Sequence, residues 1–174
     1  MGRFSDWFLC YAGTMQQAIF AAGCFWGVQY YFDQVPGVVT TTVGYTGGTT
    51  NDPTYEQVCS HTTGHAEAVL VEFNPNTVSY EALMRHFFRM HDPTQLNRQG
   101  PDVGDNYRSA IFYANDQQKE TAIKVRDKVQ SSHVEPIVTQ IVAASPFYEA
   151  ESYHQKYAER TGRGMCSVPY EPIG

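Results

Sequence analysis

The 174-residue sequence predicts an α+β fold, a two-layer sandwich built on a mixed sheet. Its first six segments run strand, helix, strand, strand, helix, strand, which is the split βαβ order, and a helix, a strand and a further helix follow. A hydrophobic content of 42%, with 14% aromatic residues, suffices for one core. One domain over 1–174 is expected, with a leader over 1–16 and a mobile tail over 161–174 that carries two prolines and three glycines.

The apolar run AIFAA, from Ala18, reads as a buried strand, and Phe25 to Gln34 follows as a helix halted by the Val-Pro-Gly at 35–37. The β-branched run VVTTTVGY predicts a second strand. Thr46 to His65 is rich in turn formers and reads as a long irregular connection, a kind of loop that is often functional. Ala66 to Phe73 alternates as a strand does, and Ser79 caps a helix whose apolar stripe includes Leu83, Met84, Phe87 and Phe88. A second irregular segment, HDPTQLNRQGPDVGDNY, leads into the strand SAIFY. Asn115 with Gln118 forms a capping box for a helix running towards Ser131. A strand near IVTQIVA and a helix within YEAESYHQKYAER complete the regular part.

A net charge of -6 and a pI near 5.4 leave no basic block to neutralise phosphates, which argues against nucleic acid or an anionic membrane as partner. No apolar run approaches the roughly 20 residues of a spanning helix, and the leader is too weakly apolar for a signal peptide. Asp6 breaks the myristoylation pattern. The four cysteines, Cys10, Cys24, Cys59 and Cys166, are too dispersed for a disulfide scaffold, and no CxxC pair suggests zinc. A cytoplasmic protein with reduced thiols is the expectation.

Chemistry concentrates in a few places. If Gly23 turns the chain between strand and helix, Cys24 sits at a helix N-terminus, where backbone N–H groups and the dipole favour a thiolate. The alternative is a small buried hydrophobe. Phe25 and Trp26 are either core or the walls of an apolar pocket. Glu67 shares a strand face with Val69, Val71 and Phe73, so its carboxyl is expected either to be buried with a raised pKa, able to deliver a proton near neutrality, or to be ion-paired at a sheet edge. Tyr55 and Tyr107, with Asp102 close to the latter, lie in the two irregular segments, where phenols can bond a polar substrate oxygen. His61 and His65 lack the HExxH order and sit in a loop, which argues against a metal pair. Cys166, in the tail, is either an exposed spectator or a second thiol that condenses with an oxidised first one. Cys59 and Cys10 have no evident role.

Taken in order, GCFWG, GYTGG, PTYEQVCS, TGHAEAV and HDPTQLNRQGPDVGDNYRSAIFY resemble the peptide methionine-sulfoxide reductase A family from about Ala18 to Tyr157. The resemblance implies an α+β sandwich related to the ferredoxin-like pattern. It makes Cys24 the nucleophile, Phe25 and Trp26 the methyl pocket, Glu67 the proton donor, and Tyr55, Asp102 and Tyr107 the remaining substrate contacts. Cys166 matches the recycling cysteine. His61 stands where the family commonly has glycine, and Asp105 and Asn106 replace a small or polar residue and glutamine. The implied reaction is reduction of methionine S-sulfoxide, free or in proteins, through a sulfenic acid and a disulfide reduced by thioredoxin or another dithiol. The implied reaction needs no metal or organic cofactor, and a monomer is expected. Two rival readings are a cysteine hydrolase using Cys24 with a histidine such as His65 or His154, and a module that binds oxidised methionine without reducing it.

Overall fold

In the computed structural model, which describes residues 14–165 and 169–173, the strand-glycine-cysteine segment folds as read. Strand β1 (Gln16–Ala22) is followed at once by helix α1 (Phe25–Phe32). Strand β2 (Val38–Thr46), the short helix α2 (Tyr55–Cys59), strand β3 (Ala66–Phe73) and helix α3 (Tyr80–Arg89) come next. The small hairpin β4 (Arg98–Gln99) and β5 (Asp102–Val103) then leads to strand β6 (Ser109–Tyr113), helix α4 (Asp116–Gln130), strands β7 (Gln140–Ala143) and β8 (Tyr148–Glu149), and helix α5 (Tyr157–Thr161).

Six strands form one sheet in the order β7-β6-β1-β3-β2-β8. The β6–β7 pair is parallel and the other pairs are antiparallel, so the sheet is mixed. Alternation decides the two faces. Phe20, Val69, Val71, Phe73 and Ile111 join Val28, Phe32, Leu83, Phe87 and Val125 of the helices in the main apolar cluster. The intervening Ala21, Ala66, Ala68 and Ala110 form a smaller cluster with Phe112. Helices therefore gather on the face that carries the large side chains.

Caps set several boundaries. The Ser79 hydroxyl accepts from the Ala82 N–H at 3.0 Å. The Asn115 side chain accepts from the Gln118 N–H, but Gln118 reaches back to the N–H of Ala114, so the expected box closes one residue before the cap. The first irregular segment contains α2, because Thr54 and Gln57 make a full capping box that starts a short helix. The second contains the β4–β5 hairpin and a 3-10 turn over Asp105–Tyr107.

The expected helix within YEAESYHQKYAER is instead three pieces: β8, a 3-10 turn over Ser152–His154, and α5. Long-range bonds override the local helical preference. Tyr148 pairs with Tyr45 of β2, and the Gln155 side chain both accepts from the Val43 N–H at 3.0 Å and donates to its carbonyl at 2.9 Å. Lys156 then takes a left-handed conformation that separates the turn from α5.

Candidate active site

Gly23 turns β1 into α1 at φ +97°, and a Cβ there would come within 2.8 Å of Gln99, so both conformation and space call for glycine. Cys24 is consequently the N-cap residue of α1 and is partly exposed. It lies on an open cleft of about 830 Å³ that is also lined by Trp26, Gln99, Asp102, Gly164 and Met165.

Next to it in sequence, Phe25 is only 1% exposed and belongs to the core. Its ring centroid lies 5.2 Å from that of His154 and 5.8 Å from that of Tyr45. Trp26 is half-buried at the cleft and stacks on Tyr157 with centroids 3.9 Å apart. The two aromatics thus make a continuous apolar wall from the interior to the cleft.

Glu67 is 2% exposed on the helix-covered face of β3, in line with Val69, Val71 and Phe73, as alternation requires. Its Oε2 accepts the backbone N–H of Phe25 at 3.0 Å. Burial raises its pKa from the usual carboxylate range to about 8; the Phe25 N–H offsets part of this, and the nearby Asp102 charge adds to it. At neutral pH the group therefore holds a proton, and it does so one residue away from Cys24.

The other expected contacts converge on this carboxyl. Tyr55 opens α2 and Tyr107 closes the 3-10 turn; burial and the proximity of Glu67 push both phenols up, so they are neutral donors at physiological pH. Asp102, on β5, lies near enough to influence both Glu67 and Tyr107. Sequence positions 24, 25, 26, 55, 67, 102 and 107 are thus supplied by four elements, α1, α2, β3 and β5, and one turn. Cys166 and Cys10 lie outside the described residues, and so does most of the leader. The chain just before Cys166 does reach the site: Met165 lines the cleft, and a Cβ on Gly164 would approach Trp26 to 2.7 Å.

Some participants were not visible in the sequence. His154, 1% exposed, accepts the Trp26 indole N–H on Nδ1 at 3.1 Å, and its Nε2 lies 3.3 Å from Glu151. Burial pulls its pKa down, which keeps Nδ1 an acceptor. Glu151 in turn accepts the Tyr55 N–H at 3.1 Å and the Tyr45 hydroxyl at 3.2 Å, tying α2 and β2 to the aromatic wall. Cys59 approaches Tyr55, and burial pushes its thiol up, away from reactivity. These links had no local signal, because each partner is far away along the chain.

The histidines do not fit a hydrolase. His65 accepts the Gly48 N–H on Nδ1 at 3.0 Å and contacts the Thr50 carbonyl through Nε2 at 2.7 Å, and His154 is committed to Trp26 and Glu151. His65 thus spends both ring nitrogens on the fold, while His154 spends Nδ1 on Trp26 and sets Nε2 against Glu151. His65 also has no nitrogen left to share a metal with His61. One departure did carry a signal: His61, where glycine is common in the resembling family, has φ +60° and pairs with Asp105 at 3.1 Å.

Comparison with known proteins assigns the chain to a family. The model of the family described as peptide methionine sulfoxide reductase matches residues 16–173. The chain belongs to that family. A peptide methionine sulfoxide reductase MsrA of Geobacter sulfurreducens is 54% identical over 155 residues, which cover 88% of this chain and 96% of that relative. The crystal structure of Mxr1 from Saccharomyces cerevisiae in reduced form superposes with a TM-score of 0.85 at 33% identity, over 90% of this chain and 93% of that one. Mxr1 in complex with Trx2 is also similar, with a TM-score of 0.60 at 25% identity, over 83% of this chain and 85% of that one. Family membership makes the chain a methionine sulfoxide reductase, an oxidoreductase.

Proposed function

We propose that Cys24 reduces the S epimer of methionine sulfoxide, free or in proteins, with Glu67 supplying the proton. The observation that carries this reading is the buried, protonated Glu67 carboxyl bonded to the Phe25 N–H, one residue from a cysteine at a helix N-terminus. A sulfoxide has an apolar methyl and a polar oxygen. Phe25 and Trp26 take the methyl, while Glu67, Tyr55 and Tyr107 address the oxygen, with Asp102 beside them. As oxygen gains its hydrogen bond or proton, the substrate sulfur becomes electrophilic and the Cys24 sulfur attacks it.

The substrate sulfur gains two electrons and leaves as methionine; the oxygen remains on Cys24 as sulfenic acid, and the thiol proton restores Glu67. Cys166 then condenses with the sulfenic acid, forming a disulfide and releasing water. A dithiol such as thioredoxin reduces that disulfide by exchange. Met165 on the cleft supports Cys166 in this role, and the complex of the similar Mxr1 with Trx2 supports the partner. No metal or organic cofactor enters these steps.

We read residues 1–174 as one catalytic domain acting as a cytoplasmic monomer, with the leader and tail bounded as above. The shared apolar cluster of helices and sheet supports one domain, and the need for reduced thiols supports the compartment. Among the described residues, no helix is long and apolar enough to cross a membrane. The central order β6-β1-β3-β2 supports a relation to the ferredoxin-like pattern.

The test is to add each epimer of methionine sulfoxide to fully reduced protein, counting thiols and methionine. The S epimer should consume two thiols and yield about one equivalent of methionine. Unchanged thiols, or equal turnover of both epimers, overturn the reading.

A further inference from the structure

Asn106 is 1% exposed, yet among the described residues neither its Nδ2 nor its Oδ1 has a hydrogen-bond partner. A buried amide with both ends unmatched calls for an explanation, since such groups are nearly always satisfied. The amide is also held tightly. Its turn is braced by the Arg108 guanidinium, which donates to the Asp105 carbonyl at 2.9 Å and to the Gly64 carbonyl at 3.0 Å, and by the His61–Asp105 pair. A Cβ on Gly104 would meet Asn106 Oδ1 at 2.5 Å and His61 at 2.3 Å, so the turn closes only with glycine there. The amide lies close enough to both Glu67 and Tyr107 to favour their ionised forms, while remaining short of a formed hydrogen bond.

We propose that Asn106 is a positioning residue of the reduction step, whose Nδ2–H donors take up the Glu67 carboxylate as its proton leaves for the sulfoxide oxygen. The inference rests on Glu67 being the acid. Two hydrogens on one nitrogen can serve the Glu67 carboxylate and the Tyr107 hydroxyl together, keeping the two groups that face the substrate oxygen in fixed register. The Phe25 N–H already meets one carboxylate oxygen at 3.0 Å. Asn106 supplies a second donor at the moment when charge appears in a dry site, where such a donor is most effective. The groups facing Glu67 are Tyr45 on β2, Tyr55 and Cys59 on α2, Asp102 on β5 and Tyr107 beside Asn106 itself, with the start of α1 above. Among these side chains, Asn106 is the one whose buried donor and acceptor atoms both stand unmatched.

The experiment follows single-turnover methionine formation by fully reduced protein with the S epimer, across neutral and alkaline pH. Asn106→Leu should slow it about tenfold or more and move the alkaline fall in rate to higher pH, because the carboxylate has lost a donor. Asn106→Asp, nearly the same shape, should move that fall further still through like charge, and Asn106→Gln should recover rate and profile relative to Leu. A purely structural role predicts a slower or less stable protein with the alkaline fall where wild type has it. That outcome, or an unchanged rate, overturns the proposal, and the Asp variant gives the same decision if the Leu variant does not fold. Glu67→Gln separates the two levels. Should the alkaline fall persist in Glu67→Gln, the acid itself is misassigned; should it vanish there yet stay in place in the Asn106 variants, only Asn106 is.

Discussion

The backbone N–H of Phe25 donates to the Glu67 carboxyl at 3.0 Å, across 42 residues of sequence. This bond joins the first turn of α1 to β3 and so fixes where an acid stands relative to Cys24. It also leaves the carboxyl with one donor in a buried place, which is why the proton is retained near neutrality.

Replacing Glu67 by Gln keeps an acceptor for the Phe25 N–H and removes the acid. Methionine formation in a single turnover should fall by about 100-fold or more, with disulfide exchange by a dithiol unaltered. Stopped-flow or quenched-flow counting of methionine measures the first, and thiol titration the second. An unchanged first turnover rejects the acid role.

The same group predicts a pH dependence of stability. Folded Glu67 titrates near 8 and its unfolded counterpart near 4.5, so between these values the folded chain binds more protons and stability falls as pH rises. The contribution is fully present below about 4.5 and lost above about 8, a change on the order of several kcal/mol. Glu67→Gln carries no charge at any pH. Urea unfolding should therefore show this variant gaining on wild type from mildly acidic to alkaline buffer, and a constant difference would contradict the raised pKa.

Cys166→Ser should release about one equivalent of methionine from reduced protein and then stall with Cys24 as sulfenic acid. Mass spectrometry should find a single added oxygen, and trapping with dimedone should locate it. Continued turnover with thioredoxin would remove Cys166 from the cycle.

The bond from the Trp26 indole to His154 predicts a further effect. His154→Phe keeps the ring contacts with Phe25 and Tyr55 but leaves the part-buried indole N–H without its His154 acceptor, a loss of about 1 kcal/mol. Denaturant unfolding should show that loss. Because Trp26 is proposed to form the outer part of the methyl wall, the KM for substrate should rise more than kcat falls.

Much of the site was legible because its signals are local. The apolar strand, a glycine and a cysteine followed by two aromatics announce a turn into a helix, and the structure makes Cys24 its N-cap. Alternation alone placed Glu67 with Val69, Val71 and Phe73, and all four are buried on one face. His61, at a place the resembling family usually gives to glycine, adopts φ +60° here, a conformation that the sequence reading did not predict. The helix expected after Tyr148 was misread for the opposite reason. Its composition suits a helix, yet Tyr148, Glu151 and Gln155 are each drawn to β2 or α2 by bonds that local pattern does not encode.

The sequence by itself therefore determined the α+β order, the place of Cys24 at a helix start and the strand face that Glu67 shares with Val69, Val71 and Phe73, since all three follow from periodicity and turn chemistry within a few residues. Only the tertiary structure decided that Phe25 meets Glu67, that His154 holds Trp26, and that the Asn106 amide stands unmatched beside the acid. Those outcomes depend on which buried polar groups meet when distant elements pack, and a hydrogen-bond partner is selected by position in space, not by distance along the chain.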